Sequence, residues 1–272
     1  MKSTILFFIP VIFLASSSCK KETNPVPPPV KEVLLKELVI QNLPSPYYYF
    51  EYNASGQVNK AGFASGTRFY EMQYESNRLR EMKNQGITNR DRVIYEYDNQ
   101  GRVVVIKLAD EGGTVYKRSF LTFDVNNRLK ELEWELKVGT IGFAIERTLS
   151  FSYYPDGNLE ERRDHRHFID GRQSEALYID RFEEYDNNIN VEGFSLLHDG
   201  NEHLVLLPGL KLQINNPLKN KRTGDGVNYN ISYTYTYNTA KVPTNKKGDM
   251  LLINGPQAGQ HFELNTSYSY YE

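Results

Sequence analysis

The stretch Val93-Ile94-Tyr95-Glu96-Tyr97-Asp98-Asn99-Gln100-Gly101-Arg102-Val103 holds the architecture of the chain in miniature. Before the turn, Val93, Tyr95 and Tyr97 alternate with polar neighbours, the two-residue period of a strand with one covered face. Asp98 opens a turn and Gly101 closes it, at the place where a type I turn ends in a left-handed residue. Glycine meets that conformation without steric cost. Val103 then starts a second strand, so the unit reads as a β-hairpin.

The unit recurs along the chain. Copies end in Tyr52-Asn53-Ala54-Ser55-Gly56-Gln57-Val58, in Phe123-Asp124-Val125-Asn126-Asn127-Arg128-Leu129 and in Tyr153-Tyr154-Pro155-Asp156-Gly157-Asn158-Leu159. A shorter copy runs from Tyr74 to Leu79, and weaker ones from Tyr185 to Val191 and from Tyr237 to Val242. Gly56 and Gly157 stand where Gly101 stands, and Asn127 tolerates the same left-handed backbone. After the turn the apolar spacing becomes three instead of two: Val58 and Ala61, Leu79 and Met82, Val103 and Ile106, Leu129 and Leu132, Val191 and Phe194. A slip repeated at one place in each unit predicts a β-bulge there, which sharpens twist and curls a sheet. The expected fold of residues 33–272 is thus all-β: a single antiparallel meander of hairpins forming a curled open sheet. Residues 203–223 break the rhythm and are expected to form an irregular or short helical plug. Tyr268-Ser269-Tyr270-Tyr271 reads as the last, closing strand.

The N-terminus carries an address. Lys2 precedes an apolar run from Ile5 to Ala15, too short for a mature membrane span, which needs roughly 20 apolar residues. Ser16, Ser17 and Ser18 follow, and then Cys19, the sole cysteine of the chain. This pattern resembles a bacterial lipoprotein signal. The resemblance implies removal of residues 1–18 and diacylation of Cys19, and two acyl chains hold a protein stably on a membrane. Residues 19–32 then form a tether, in which Pro25, Pro27, Pro28 and Pro29 enforce an extended polyproline-type segment.

Composition narrows the function classes. Thirty-two basic residues against 34 acidic ones leave a formal charge of −2, so no general electrostatic pull toward nucleic acid exists. One cysteine excludes a disulfide framework and a cysteine-rich zinc site. Tyr95-x-Tyr97-Asp98-x-x-Gly101-Arg102-Val103 resembles the YD repeat of RHS-type proteins. Lipoprotein signal, proline tether, spaced hairpins and the Asn215-Asn216-Pro217 break together resemble the small YD-repeat-like lipoproteins of Bacteroidota, a family without an assigned activity. Large RHS proteins build closed β-shells, and so few units imply an incomplete one. The resemblance transfers no functional residues.

Candidates for chemistry are sparse. His165 and His167 share one strand face at a bidentate metal spacing, but Arg162, Arg163 and Arg166 crowd the segment and disfavour a cation. His198 and His203 flank a loop, and Gly224-Asp225-Gly226 is too short for a calcium loop. Asp124, Asp156 and Asp186 sit at turn positions, where capping accounts for them. Tyr154, beside the in-register Tyr153, is the one aromatic free to meet a ligand. No catalytic residue and no cofactor is expected. The chain reads as a non-catalytic, lipid-anchored module of the cell envelope, on the outer membrane facing the periplasm or the cell exterior. Its partners would be the membrane, through the lipid, and a glycan or an envelope protein. The alternative is a periplasmic carrier sheltering a lipid or other apolar ligand in the curled sheet.

Overall fold

The computed structural model describes residues 33–86, 90–140, 142–192 and 204–271. Among these residues sixteen strands follow one another. The first eight are β1 (Leu35–Ile40), β2 (Tyr48–Tyr52), β3 (Val58–Phe63), β4 (Arg68–Glu75), β5 (Arg78–Asn84), β6 (Arg92–Tyr97), β7 (Val103–Ala109) and β8 (Val115–Phe123). The rest are β9 (Leu129–Val138), β10 (Gly142–Tyr153), β11 (Leu159–Arg166), β12 (Ala176–Tyr185), β13 (Pro217–Gly224), β14 (Tyr229–Tyr237), β15 (Pro243–Leu252) and β16 (His261–Tyr270). Each pairs antiparallel with the next, and β16 returns to pair with β1 through Leu38↔Tyr268 and Ile40↔Thr266. The result is a closed barrel, which overturns the expected open sheet.

Closure follows from the repeated bulge. In β6–β7, Glu96 pairs with Val105 and Tyr97 with Val103, so one residue of the return strand is extra. The same shift recurs in β2–β3, β4–β5, β8–β9, β10–β11 and β14–β15. Each bulge adds twist and bend. A sheet with one apolar face and no helix layer to cover it then buries that face against itself. Buried residues from β1–β12 and β16, among them Leu38, Phe50, Met82, Ile106, Trp134 and Leu149, form one cluster, so the core is the lumen.

The expected short helix is also overturned: among the described residues there is none. Residues 217–223 belong to β13, and 204–216 run without regular structure while Leu204, Val205 and Leu212 are buried in the lumen cluster. Tyr70 and Tyr95 hydrogen-bond to the backbone of Leu204 and Leu206. The weak copy at 185–191 has no return strand beside its turn. The chain instead runs on from Tyr185, and the partner of β12 begins at Pro217. Residues 193–203, with Phe194, His198 and His203, lie outside the described residues, as does Cys19.

The turns show why the motif takes its form. Asp98 Oδ1 accepts from the backbone N–H of Gln100 and Arg102 at 2.9 Å each, and Oδ2 accepts from Arg102 Nε at 2.7 Å. Asp124 holds Asn126 and Arg128 in the same way. Gly101 (φ 82°) and Asn127 (φ 64°) occupy the left-handed position. The arginine so fixed lies over the aromatic of the following hairpin: Arg102 over Phe123 at 4.5 Å and Arg128 over Tyr153 at 4.7 Å. The motif tyrosine pins the preceding hairpin. Tyr52 donates to Leu35 O, Tyr74 to Val58 O, Tyr97 to Leu79 O, Tyr153 to Leu129 O and Tyr185 to Leu159 O. Four of those acceptors are the first residue of a strand, and Leu79 is the second of β5.

Candidate binding site

The return strands place in the lumen the residue three after the one that pairs with the motif aromatic, which is Val58, Leu79, Val103 or Leu129 in the first four hairpins. In the first four hairpins that residue is Ala61, Met82, Ile106 or Leu132, each essentially inaccessible to solvent. The same count from Leu159, Pro217 and Pro243 gives Arg162, Asn220 and Lys246. All three line one cavity of about 210 Å³ on the β11–β15 side of the lumen. Sequence reasoning passed over this site, although its signal was the repeat rule itself, broken at the same position in three later strands.

Register assembles the charges. Arg162 pairs with Asp180, and Asp180 with Arg222, so the three stand abreast on β11, β12 and β13. Opposite charges directly across a sheet attract. Arg222 donates to Asp180 through Nε at 2.7 Å and Nη2 at 2.8 Å, and Arg162 donates to the same carboxylate. Next to this row, Arg147 of β10 grips Asp164 of β11 through two bonds of 2.6 and 2.7 Å. Further round, Lys117 pairs with Glu146 at 2.5 Å and lies 5.3 Å from the Trp134 ring. On the other flank Lys246 Nζ donates to Glu192 at 2.7 and 2.6 Å, and Tyr268 donates to that carboxylate as well.

These pairings set the protonation states. Burial opposes ionisation of Asp180, but the hydrogen bond from Arg222 and the charges of Arg162 and Arg222 outweigh it and hold the carboxyl below its ordinary range. Burial likewise opposes the charge on Arg222, and Asp180 more than restores it. Tyr229, Tyr233 and Tyr235, all facing the cavity, are pushed up by burial, so they remain neutral donors. Arg222 sits over the Tyr229 ring at 5.0 Å and Lys246 over the Tyr233 ring at 5.3 Å. Gly248 makes room for this: a Cβ there would stand 3.1 Å from both Ile231 and the Tyr233 ring.

The residues expected to carry chemistry lie elsewhere. His165 and His167 are on β11's outer side and just beyond its end, with ring centroids 4.2 Å apart. His165 contacts Glu175 at 2.9 Å, and His167 contacts Thr148 at 2.9 Å. Among the described residues no three His, Cys, Asp or Glu come together as a metal set. Tyr154 donates to Phe182 O at 3.1 Å and packs edge-on to Tyr185, outside the cavity lining. Asp225 accepts from the Leu177 N–H at 2.7 Å, a turn contact. The β11 segment is not a wholly exposed polar strand either: Asp164 is buried, while Arg163 is exposed on the opposite face.

No protein-family model matches the chain, and no curated protein does. Solved structures do match. A porin-like protein from Bacteroides uniformis ATCC 8492 aligns over 88% of this chain and 95% of its own, with a TM-score of 0.58 and 13% identity. A porin-like protein from Bacteroides vulgatus ATCC 8482 aligns over 88% of this chain and 99% of its own, with a TM-score of 0.56 and 13% identity. The barrel fold is shared with these proteins. At that identity the likeness extends to the fold alone.

Two features of this barrel bear on what such a fold can do here. Its outward strand faces are mainly polar, with apolar residues such as Phe120 and Ile145 scattered among them: Glu71 and Gln73 on β4, Glu96 on β6, Lys219 and Lys221 on β13, Lys247 and Asp249 on β15 are exposed. A membrane-spanning barrel needs the reverse, an outward apolar band about 25 Å tall around a polar interior. Its lumen is occupied on one side by packed apolar side chains and by residues 204–216. The space left on the other side is bounded by charges, a poor seat for an apolar ligand.

Proposed function

We propose that the chain is a non-catalytic binding module of a Gram-negative cell envelope, tethered by lipid on Cys19 and standing in water beside the membrane. The observation that carries this reading is the polar outer face of a barrel whose lumen is largely filled. Such a barrel neither crosses a bilayer nor conducts through its centre. The lumen carboxylates are tied to arginine and lysine partners instead of being left poised for proton transfer, which supports binding over catalysis. The expected ligand is a glycan or an envelope protein. An apolar cargo is not supported, because the lumen's apolar side is occupied by the chain itself.

The test is fractionation of cells producing the wild type and Cys19→Ala. The wild type should sediment with membranes, and Cys19→Ala should be released in soluble, folded form. A Cys19→Ala protein that stays with membranes and resists extraction at high pH would mean that the barrel itself is inserted, and the reading would fail. Protease shaving of intact cells then assigns the side of the outer membrane: cleavage of the barrel means the cell exterior, and cleavage only after permeabilisation means the periplasm.

A further inference from the structure

We propose that His165 and His167 together hold one divalent transition-metal ion, zinc or copper(II), through their Nδ1 atoms on the outer wall of the barrel. The site is separate from the lumen and goes beyond the binding-module reading.

Backbone register brings the rings together. Residues two apart on a strand point to one face, and His165 pairs with Thr148 on β10 and Leu177 on β12. His167 extends the same edge, its N–H donating to Glu146 O at 2.9 Å. Gln173 clamps the following loop, donating from Nε2 to Glu146 O at 2.8 Å and to His167 O at 2.7 Å. Two imidazole nitrogens bound to one ion at about 2.0–2.1 Å place their ring centroids about 4.5–5 Å apart in a tetrahedral or square site. The centroids of His165 and His167 are 4.2 Å apart. A shift of less than about 1 Å completes the bite.

The outer nitrogens are already spoken for. His165 Nε2 lies 2.9 Å from Glu175 Oε1. An ionised carboxylate only accepts, so Nε2 carries the proton and Nδ1 keeps the lone pair. His167 Nε2 lies 2.9 Å from Thr148 Oγ1, whose hydroxyl can accept in the same way. A metal-binding histidine characteristically gives its other N–H to such an oxygen, which fixes the tautomer and orients the ring. Here both partners stand in place before any ion arrives. Neither Nδ1 has a hydrogen-bond partner among the described residues.

The arginines that weigh against a cation in the sequence are answered by the fold. Arg162 turns into the lumen to Asp180, and Arg166 lies over the Tyr178 ring at 5.0 Å. Arg163 shares the histidine face, and its Nε donates to Glu161 at 2.7 Å. The charged group in contact with the pair is the Glu175 carboxylate, whose sign favours a cation. Among the described residues no set of three His, Cys, Asp or Glu forms. The ion therefore has two protein ligands, and its remaining positions are open to water or to a ligand from a second molecule.

Titration calorimetry tests this on the full-length protein in detergent, with zinc chloride and copper(II) chloride as probes in a buffer that does not chelate. One ion should bind per chain, and electron paramagnetic resonance of the copper form should show two imidazole nitrogens. His165→Gln and His167→Gln should each abolish the site. Glu175→Ala, which removes only the outer partner, should weaken binding about tenfold to a hundredfold. His261→Gln should change nothing, because that ring sits on β16 against Asp249. No binding of either ion, a copper spectrum with a single nitrogen, or binding that survives either His165→Gln or His167→Gln would each overturn the proposal. If the loop variant His167→Gln fails to fold, the wild-type copper spectrum and Glu175→Ala remain decisive. Membrane release of Cys19→Ala is read separately, so a failed metal site and a failed anchor cannot be confused.

Discussion

Two walls of one barrel, built from the same hairpin, solve the problem of the lumen in opposite ways. On β2–β9 the return strands present Ala61, Met82, Ile106 and Leu132, and the lumen there is closed by packing. On β11–β15 the corresponding positions are Arg162, Asn220 and Lys246, and the lumen holds an ion network with a cavity. The turn chemistry is shared and does not distinguish them: Asp98 and Asn238 each accept from the backbone N–H groups two and four residues on. The hairpin motif therefore specifies where a side chain points, and a single position per unit decides whether the interior is sealed by apolar packing or lined with charge.

If the walls nonetheless fold as one unit, alkali should release both together. Burial raises Tyr95 on the packed wall, and it raises Tyr233 and Tyr235 on the polar wall. A phenol whose folded pKa exceeds its unfolded value of about 10 contributes stability that is complete below pH about 10 and is lost as pH rises toward the folded value. Tyrosinate absorbance should therefore show an early exposed fraction. The buried remainder should ionise in one steep step together with loss of near-ultraviolet circular dichroism. Two separated steps, polar wall first, would break the single-unit picture.

Mutations at the two walls sharpen the contrast. Trp134→Ala removes the largest fully buried side chain of the packed wall, and the expected cost is about 3–5 kcal/mol from lost transfer energy and a residual cavity. Asp180→Leu takes away the carboxylate that Arg222 holds through two hydrogen bonds, and its cost is of similar size, about 3–5 kcal/mol. The difference is in reversibility. A second change, Arg222→Met, should recover part of the Asp180→Leu loss by removing one orphaned charge, whereas no polar change can refill the space left by Trp134. Urea midpoints of the three variants decide it, and a double variant no more stable than Asp180→Leu would mean that the ion row is not coupled.

Much of this was legible in the sequence, and the rest has physical reasons for being hidden. Tyr-x-Tyr-Asp-x-x-Gly at 95–101 gives strand, turn and bulge, because period-two burial and a left-handed turn residue are local requirements. Closure is not local: it depends on β16 meeting β1 with Leu38 opposite Tyr268, the sum of the twists and bulges of all the strands between. The weak copy from Tyr185 to Val191 is not a hairpin but opens the insertion before Pro217, although Asp186-Asn187-Asn188 imitates the turn. In fact Asp186 Oδ1 accepts from the N–H of Asn188 and of Asn216, so one turn aspartate anchors both ends of the insertion. The cavity residues were overlooked because arginines at 162, 163 and 166 look solvated, although the spacing of Arg162 from Leu159 matches that of Ile106 from Val103.

The shared turns make smaller tests. Gly101→Val places a β-branched residue at φ 82°, with its Cβ 3.0 Å from Arg78 Nη2. The expected cost is roughly 1–2 kcal/mol, seen as a lower melting temperature. Gly56→Val has the same backbone demand at φ 77° but open space around the Cβ, so it should cost less. Equal losses at the two sites would assign the whole effect to backbone conformation and none to the packing of neighbouring hairpins.

Phe123 offers the smallest effect and the cleanest reading of the motif. Tyr74, Tyr97 and Tyr153 each donate to a carbonyl at the start of the preceding return strand, that of the residue paired with the preceding motif aromatic: Val58, Leu79 and Leu129. By the same geometry a hydroxyl on residue 123 would reach Val103 O. Phenylalanine leaves that bond unmade, and Arg102 covers the ring at 4.5 Å. Phe123→Tyr should therefore stabilise the barrel by about 0.5–1.5 kcal/mol, the net value of one intramolecular hydrogen bond, and Tyr153→Phe should cost about the same. Chemical denaturation of the pair measures both signs. A neutral Phe123→Tyr beside a costly Tyr153→Phe would mean that the pinning bond depends on its hairpin's own surroundings, and that the packed wall is less uniform than its repeat.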